Sequence, residues 1–122
     1  MIDVTLNGII TLTKGDNAVI PLVISNEDPL YTEQEQYILK GDDAVYFGVM
    51  FPNQDFANAR IRKKYTKEDM TEDYVIPISF EPEDTENLPS GDYYYEVKLK
   101  KDNEDVKETT TVVEKTFFHL ID

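Results

Sequence analysis

With 122 residues, 25 of them acidic against 12 basic for a net charge of −13, the chain has room for one hydrophobic core and one domain, 1–122. A charge that negative disfavours general binding to nucleic acid or anionic membrane, and the absence of cysteine removes disulfides, thiolate nucleophiles and thiolate zinc sites together. Met1-Ile2-Asp3-Val4-Thr5 has no basic stretch followed by an apolar one, so no signal peptide is read there, and no apolar run approaches the roughly 20 residues that span a bilayer.

Ala is scarce while Val, Ile, Thr and Tyr recur in short runs, which favours strands over helices. Residues 2–13 hold two alternating runs split by Asn7-Gly8, a hairpin signal. Pairing Leu6 with Ile9 would set Val4 against Thr11 and Ile2 against Thr13, a poorly apolar face. One strand kinked or bulged at Gly8 is therefore preferred. After the turn Lys14-Gly15-Asp16-Asn17, a strand over 18–25 puts Ala18, Ile20, Leu22 and Ile24 on one face. Pro21 lacks an N–H, so its donor side must point away from any partner or lie at a bulge. Residues 26–38 are acidic and irregular, a loop with room for one helical turn.

Lys40-Gly41-Asp42-Asp43-Ala44-Val45 repeats Lys14-Gly15-Asp16-Asn17-Ala18-Val19, which reads as two similar turns leading into two similar strands. The second strand places Val45, Phe47, Val49 and Phe51 together, with Tyr46, Gly48 and Met50 opposite. From Ala57 to Tyr65, Ala59, Ile61 and Tyr65 face one way and Arg60, Arg62 and Lys64 the other. Tyr74, Ile76, Ile78 and Phe80 form the next apolar face. Pro82 and the acids after it suit the start of a helical turn.

Leu88-Pro89-Ser90-Gly91 then releases the longest strand, with Tyr93, Tyr95, Val97 and Leu99 inward and Tyr94, Glu96, Lys98 and Lys100 outward. Lys101-Asp102-Asn103-Glu104 turns the chain into a returning strand over 106–113. A final apolar segment over 115–121 sets Phe117 and His119 opposite Phe118 and Leu120. Seven to nine short strands with turns at this spacing predict an all-β, antiparallel sandwich; a barrel is the alternative.

Chemistry is sparsely signalled. Asp16, Asp42-Asp43 and the run Glu81, Glu83, Asp84, Glu86 lack EF-hand spacing, and Asp beside Gly is ordinary turn chemistry. His119, the one histidine, lies in an apolar strand and reads as a packed or strand-margin residue. No nucleophile elbow or phosphate loop occurs, so no catalytic, cofactor or metal residue is assigned and an enzyme is not expected. A small hydrolase would need a pocket converging on buried carboxylates. The three consecutive tyrosines cannot form one sugar platform, because neighbours in a strand point to opposite faces. The Arg60-x-Arg62-Lys63-Lys64 cluster reads either as a solvated face that discourages strand aggregation or as a docking patch for an acidic surface, including another copy of the chain.

The run Asp84-Thr85 … Leu88-Pro89-Ser90-Gly91-Asp92-Tyr93-Tyr94-Tyr95 resembles the late corner of immunoglobulin-like domains, where a tyrosine hydrogen-bonds back across the corner. That match makes Asp84, Gly91, Tyr93 and Tyr95 the structural corner, with Tyr93 the corner tyrosine and Tyr95 where antibody domains hold a cysteine. The paired cysteines and buried tryptophan of antibody domains are missing. More specifically, Gly15-Asp16, Gly41-Asp42-Asp43-Ala44-Val45 and Asp84 to Tyr95, in this order, are similar to the N-terminal immunoglobulin-like domain of phage baseplate upper proteins and related prophage tail proteins. The resemblance covers most of the chain; the acidic insert at 26–38 departs from it. It implies a non-enzymatic structural module of a virion tail or baseplate, synthesised in the bacterial cytoplasm. Its partners would be other tail or baseplate proteins or copies of itself, without nucleic acid or membrane insertion. The surfaces expected to dock are Arg60, Arg62 and Lys64 on the basic strand, and Phe117, Phe118 and His119 near the C-terminus. A bacterial surface or secreted immunoglobulin-like adhesion or carbohydrate-binding module is the alternative.

Overall fold

A computed structural model describes residues 2–26 and 35–122, so most of the loop read over 26–38, with its helical turn, lies outside the described residues. The described residues form ten strands: β1 (Ile2–Val4), β2 (Ile10–Thr13), β3 (Ala18–Leu22), β4 (Ser25–Asn26), β5 (Glu35–Gln36), β6 (Ala44–Met50), β7 (Ile61–Tyr65), β8 (Ile76–Phe80), β9 (Gly91–Asp102) and β10 (Lys107–Ile121), with a one-turn helix, α1, at Pro82–Thr85. The six-stranded sheet runs β1-β2-β10-β9-β6-β7, with β3-β8 as a second sheet and β4-β5 as a short ribbon. The fold is an all-β sandwich. Its one departure from antiparallel pairing is β2 against β10, which run parallel.

Alternation in the long strand is realised residue by residue: Tyr93, Tyr95, Val97 and Leu99 are buried, while the residues between them are half-buried. The layer between the sheets is apolar. Phe47 meets Phe80 of the facing sheet edge-on at 5.6 Å and stacks on Tyr95 at 5.5 Å. Phe118 belongs to this layer too, fully buried and 5.9 Å from Phe80, so it is core and not part of a docking surface. The cause is strand parity. Phe117 and His119 took the outward side, which leaves Phe118 and Leu120 facing in.

Several local expectations are corrected. Residues 2–13 form a hairpin and not one kinked strand. Its turn is longer than the two-residue one considered, which moves the register by one and sets Ile2 opposite Leu12 and Val4 opposite Ile10. Gly8 has φ 82 and donates to Thr5 O, while Thr5 N bonds Ile9 O, so Asn-Gly supplies the left-handed residue of a turn that spans Thr5 to Ile9. The two Gly-Asp turns also differ. The first closes from Asp16 N to Thr13 O, the second from Asp43 N to Lys40 O, one residue later in the repeat.

Only Ile61–Tyr65 of the 57–65 stretch is strand, because Phe56–Asn58 coils into a 3-10 turn that ends at Ala59. Tyr74 leaves the apolar face assigned to it: it has φ 59 and is exposed, capping a turn to Thr71. The last two segments fuse into one strand with register shifts between Thr111 and Val113 and between Val113 and Thr116. Val113 and Phe118 are an odd number of residues apart, yet both reach the core because a residue is bulged out between them.

In the small sheet, Pro21 and Pro77 stand directly opposite each other. Neither has an N–H, so theirs must be a pair without mutual hydrogen bonds. Two residues along on β8, Ser79 N therefore points outward, and it donates to the Tyr65 hydroxyl of β7 at 3.0 Å. The prolines thus sit where they break no ladder bond, and the freed donor joins the two sheets.

Candidate functional site

Two tyrosine hydroxyls fasten the start of β9 to neighbouring turns. Tyr93 Oη donates to Pro89 O at 2.6 Å, and Tyr95 Oη donates to Gly8 O, fastening the β1–β2 turn to β9. Burial raises both phenols above their ordinary range, so they remain protonated donors at neutral pH. Asp84 caps α1 by accepting from Glu81 N at 2.7 Å and also takes Lys63 Nζ of β7 at 2.7 Å. Thr85, fully buried, accepts Gly15 N at 2.8 Å through Oγ1. Gly91 begins β9 at φ 152, a conformation reserved for glycine. Tyr93→Phe keeps the buried ring but removes its hydrogen bond to Pro89 O, whose residue is exposed, and should cost about 1 kcal/mol. A lower urea midpoint with an unchanged m-value checks this.

A second polar knot was not anticipated. Asp43, 1% exposed, accepts from Tyr37 Oη at 2.7 Å, Lys40 N at 3.1 Å, Asp102 N at 2.7 Å and Asn103 Nδ2 at 2.9 Å. Burial alone would raise its carboxyl, but these bonds outweigh burial and hold it below the usual carboxylate range. It is a hub joining the approach to β6 with the β9–β10 turn. Every donor it meets is N–H or O–H, which is how a carboxylate is kept inside without a metal partner.

The outward face of the six-stranded sheet carries the charged and aromatic candidates. Arg60, just before β7, stands apart from these: its guanidinium lies 5.0 Å over the ring of Phe51, which packs on the buried Tyr93 at the rim of the core. Arg62 is committed to backbone, its Nε to Ala59 O at 3.2 Å and its other arm to Ala57 O, so it pins the 3-10 turn. Lys64 Nζ sits 5.9 Å over Tyr46, and Lys98 of β9 sits 5.0 Å over Phe56. Beside Lys64 opens a cavity of about 310 Å³ lined by Tyr46, Phe47, Phe56, Ala57, Arg62, Lys63 and Lys64, with Lys98 outside the lining. Sequence reasoning missed Phe56 and Lys98. Phe56 carried no periodic signal, and Lys98 belongs to another strand that register alone brings alongside Tyr46.

Further along the same face, Tyr94 stacks on Phe117 at 4.9 Å and Phe117 on His119 at 5.6 Å. His119 Nδ1 lies 2.6 Å from Asp92 Oδ1. Phe117 is 42% exposed, so the stack is open to solvent on one side. Of the residues expected to dock, Arg60, Arg62, Lys64, Phe117 and His119 do lie at the surface. Among the described residues no cluster of three or more His, Cys, Asp or Glu side chains is arranged to hold a metal ion. Comparison with protein-family models, curated proteins and solved structures returns no match.

Proposed function

We propose that the chain is a structural module of a phage or prophage tail or baseplate that works by protein–protein assembly. The observation that carries this reading is the outward face of the large sheet. There, an exposed ring stack of Tyr94, Phe117 and His119 lies on the same side as cations that ion-pair with none of the described acids. Exposed aromatic groups at such a position favour a protein partner, because they gain most when a second surface excludes water from them. The order of Gly-Asp turns and the Tyr93 corner supports the tail assignment. The buried residues Asp43 and Thr85 are occupied by donors from the chain itself, so neither is free to serve a ligand.

Purified particles from an induced lysogen carrying the gene, labelled with an antibody to this chain, provide the test. Label at the tail or its tip is the expected result. Particles without label, with the chain instead on the cell surface or retained on a glycan array, would favour the adhesion reading.

A further inference from the structure

We infer that the pocket between Phe56 and β7 receives an acidic stretch of a second copy of the chain, joining copies head to tail. This rests on the assembly reading above and names its partner. The pocket exists because of Gly48. A Cβ there would meet Phe56 Cε2 at 2.7 Å, so only glycine lets the Phe56 ring lie down on the strand. Gly48 pairs with Arg62 on one side and Glu96 on the other. The ring therefore occupies the ground between the two opposite charges nearest to cancelling, and they form no ion pair. Lys64 and Lys98 likewise have no carboxylate within ion-pair distance among the described residues, whereas Lys40, Lys63, Lys101 and Lys107 each have one.

Charge selects the occupant. Arg62, Lys64, Lys98 and Lys100 set four of the 12 basic residues on one face beside Glu96, while the other eight share the rest of the chain with the other 24 of its 25 acidic residues. The surface best matched to this face is the rest of the same molecule. A carboxylate side chain entering there would lay its stem against Tyr46 and Phe56 and its charge beside Arg62 and Lys64, with Lys98 adding a further cation over the Phe56 ring. Because the basic face and the acidic surface are different patches, the contact is heterologous and builds a ring or an open row of copies.

Sedimentation velocity of the full chain, at about 10 mM and about 1 M salt where the screening length falls from about 30 to about 3 Å, tests this. Three variants accompany the wild type: Lys64→Glu/Lys98→Glu, Phe56→Ala, and a control of equal charge change away from the face, Lys67→Glu/Lys107→Glu. The wild type should associate at low salt and dissociate at high salt. The first two variants should associate at least about tenfold more weakly while the control keeps its affinity. A wild type that stays monomeric at low salt overturns the inference, as does a control weakened as much as the pocket variants, or pocket variants that associate like wild type. Any of these leaves particle labelling, the test of the tail assignment, unaffected.

Discussion

Phe47→Ala should lower stability by about 4 kcal/mol, the largest loss expected of any single side chain. Phe47 is 1% exposed and stands where the two sheets meet, touching Phe80 edge-on across the sandwich and Tyr95 face-on within its own sheet. Truncation removes both ring contacts and leaves a void that strands on either side are hydrogen-bonded too firmly to close. Phe47→Leu refills most of that volume and should cost under half as much, about 1.5 kcal/mol. Chemical denaturation of the pair checks the argument: equal losses would mean that refilling the volume restores nothing, which would remove the void from the account.

Asp43→Ala should cost about 3 kcal/mol and lower the melting temperature by roughly 12 °C. The substitution strands four donors, two of them backbone N–H groups, at a site that water does not reach freely. Asp43→Asn should fare little better, since its amide brings another donor into a ring of donors. The pH dependence has a definite sign. The folded carboxyl titrates below its unfolded counterpart, so its contribution is complete above the unfolded value near 4 and is lost as pH falls through the lower folded value. Wild type should therefore lose stability on acidification below about pH 4 more steeply than Asp43→Ala. Parallel acid curves for the two proteins would remove the carboxylate from the account.

The strands were legible because period-two alternation was strong: Val45, Phe47 and Val49, and Tyr93 through Leu99, face the core as the pattern required. Tyr93 stands out only through the resemblance to an immunoglobulin-like corner; in the fold its hydroxyl reaches back to Pro89 O. What was not legible depended on register. The first hairpin turned on whether Asn7-Gly8 closes a two-residue or a longer turn, a one-residue difference that exchanges every facing pair. Asp43 looked like its neighbour Asp42 in the sequence. Both come against Asp102 in the fold, Asp42 through its backbone N–H, but it is the Asp43 carboxylate that accepts from Asp102 N and Asn103 Nδ2. The basic face needed β9 beside β6 before Lys98 could be counted near Arg62 and Lys64. Phe118, named with its exposed neighbours, shows that a contiguous stretch of strand is never one surface.

The facing prolines of the small sheet carry a further consequence. Because Pro21 and Pro77 cannot donate, both margins of that sheet lack an amide at mid-length, and an incoming peptide would find a gap in its ladder whichever side it approached. Copies crowded together during synthesis or assembly are thereby steered away from cross-β stacking at this ribbon. Polymerisation through backbone zippering is closed off here, while contact through side chains on the broad sheet stays open.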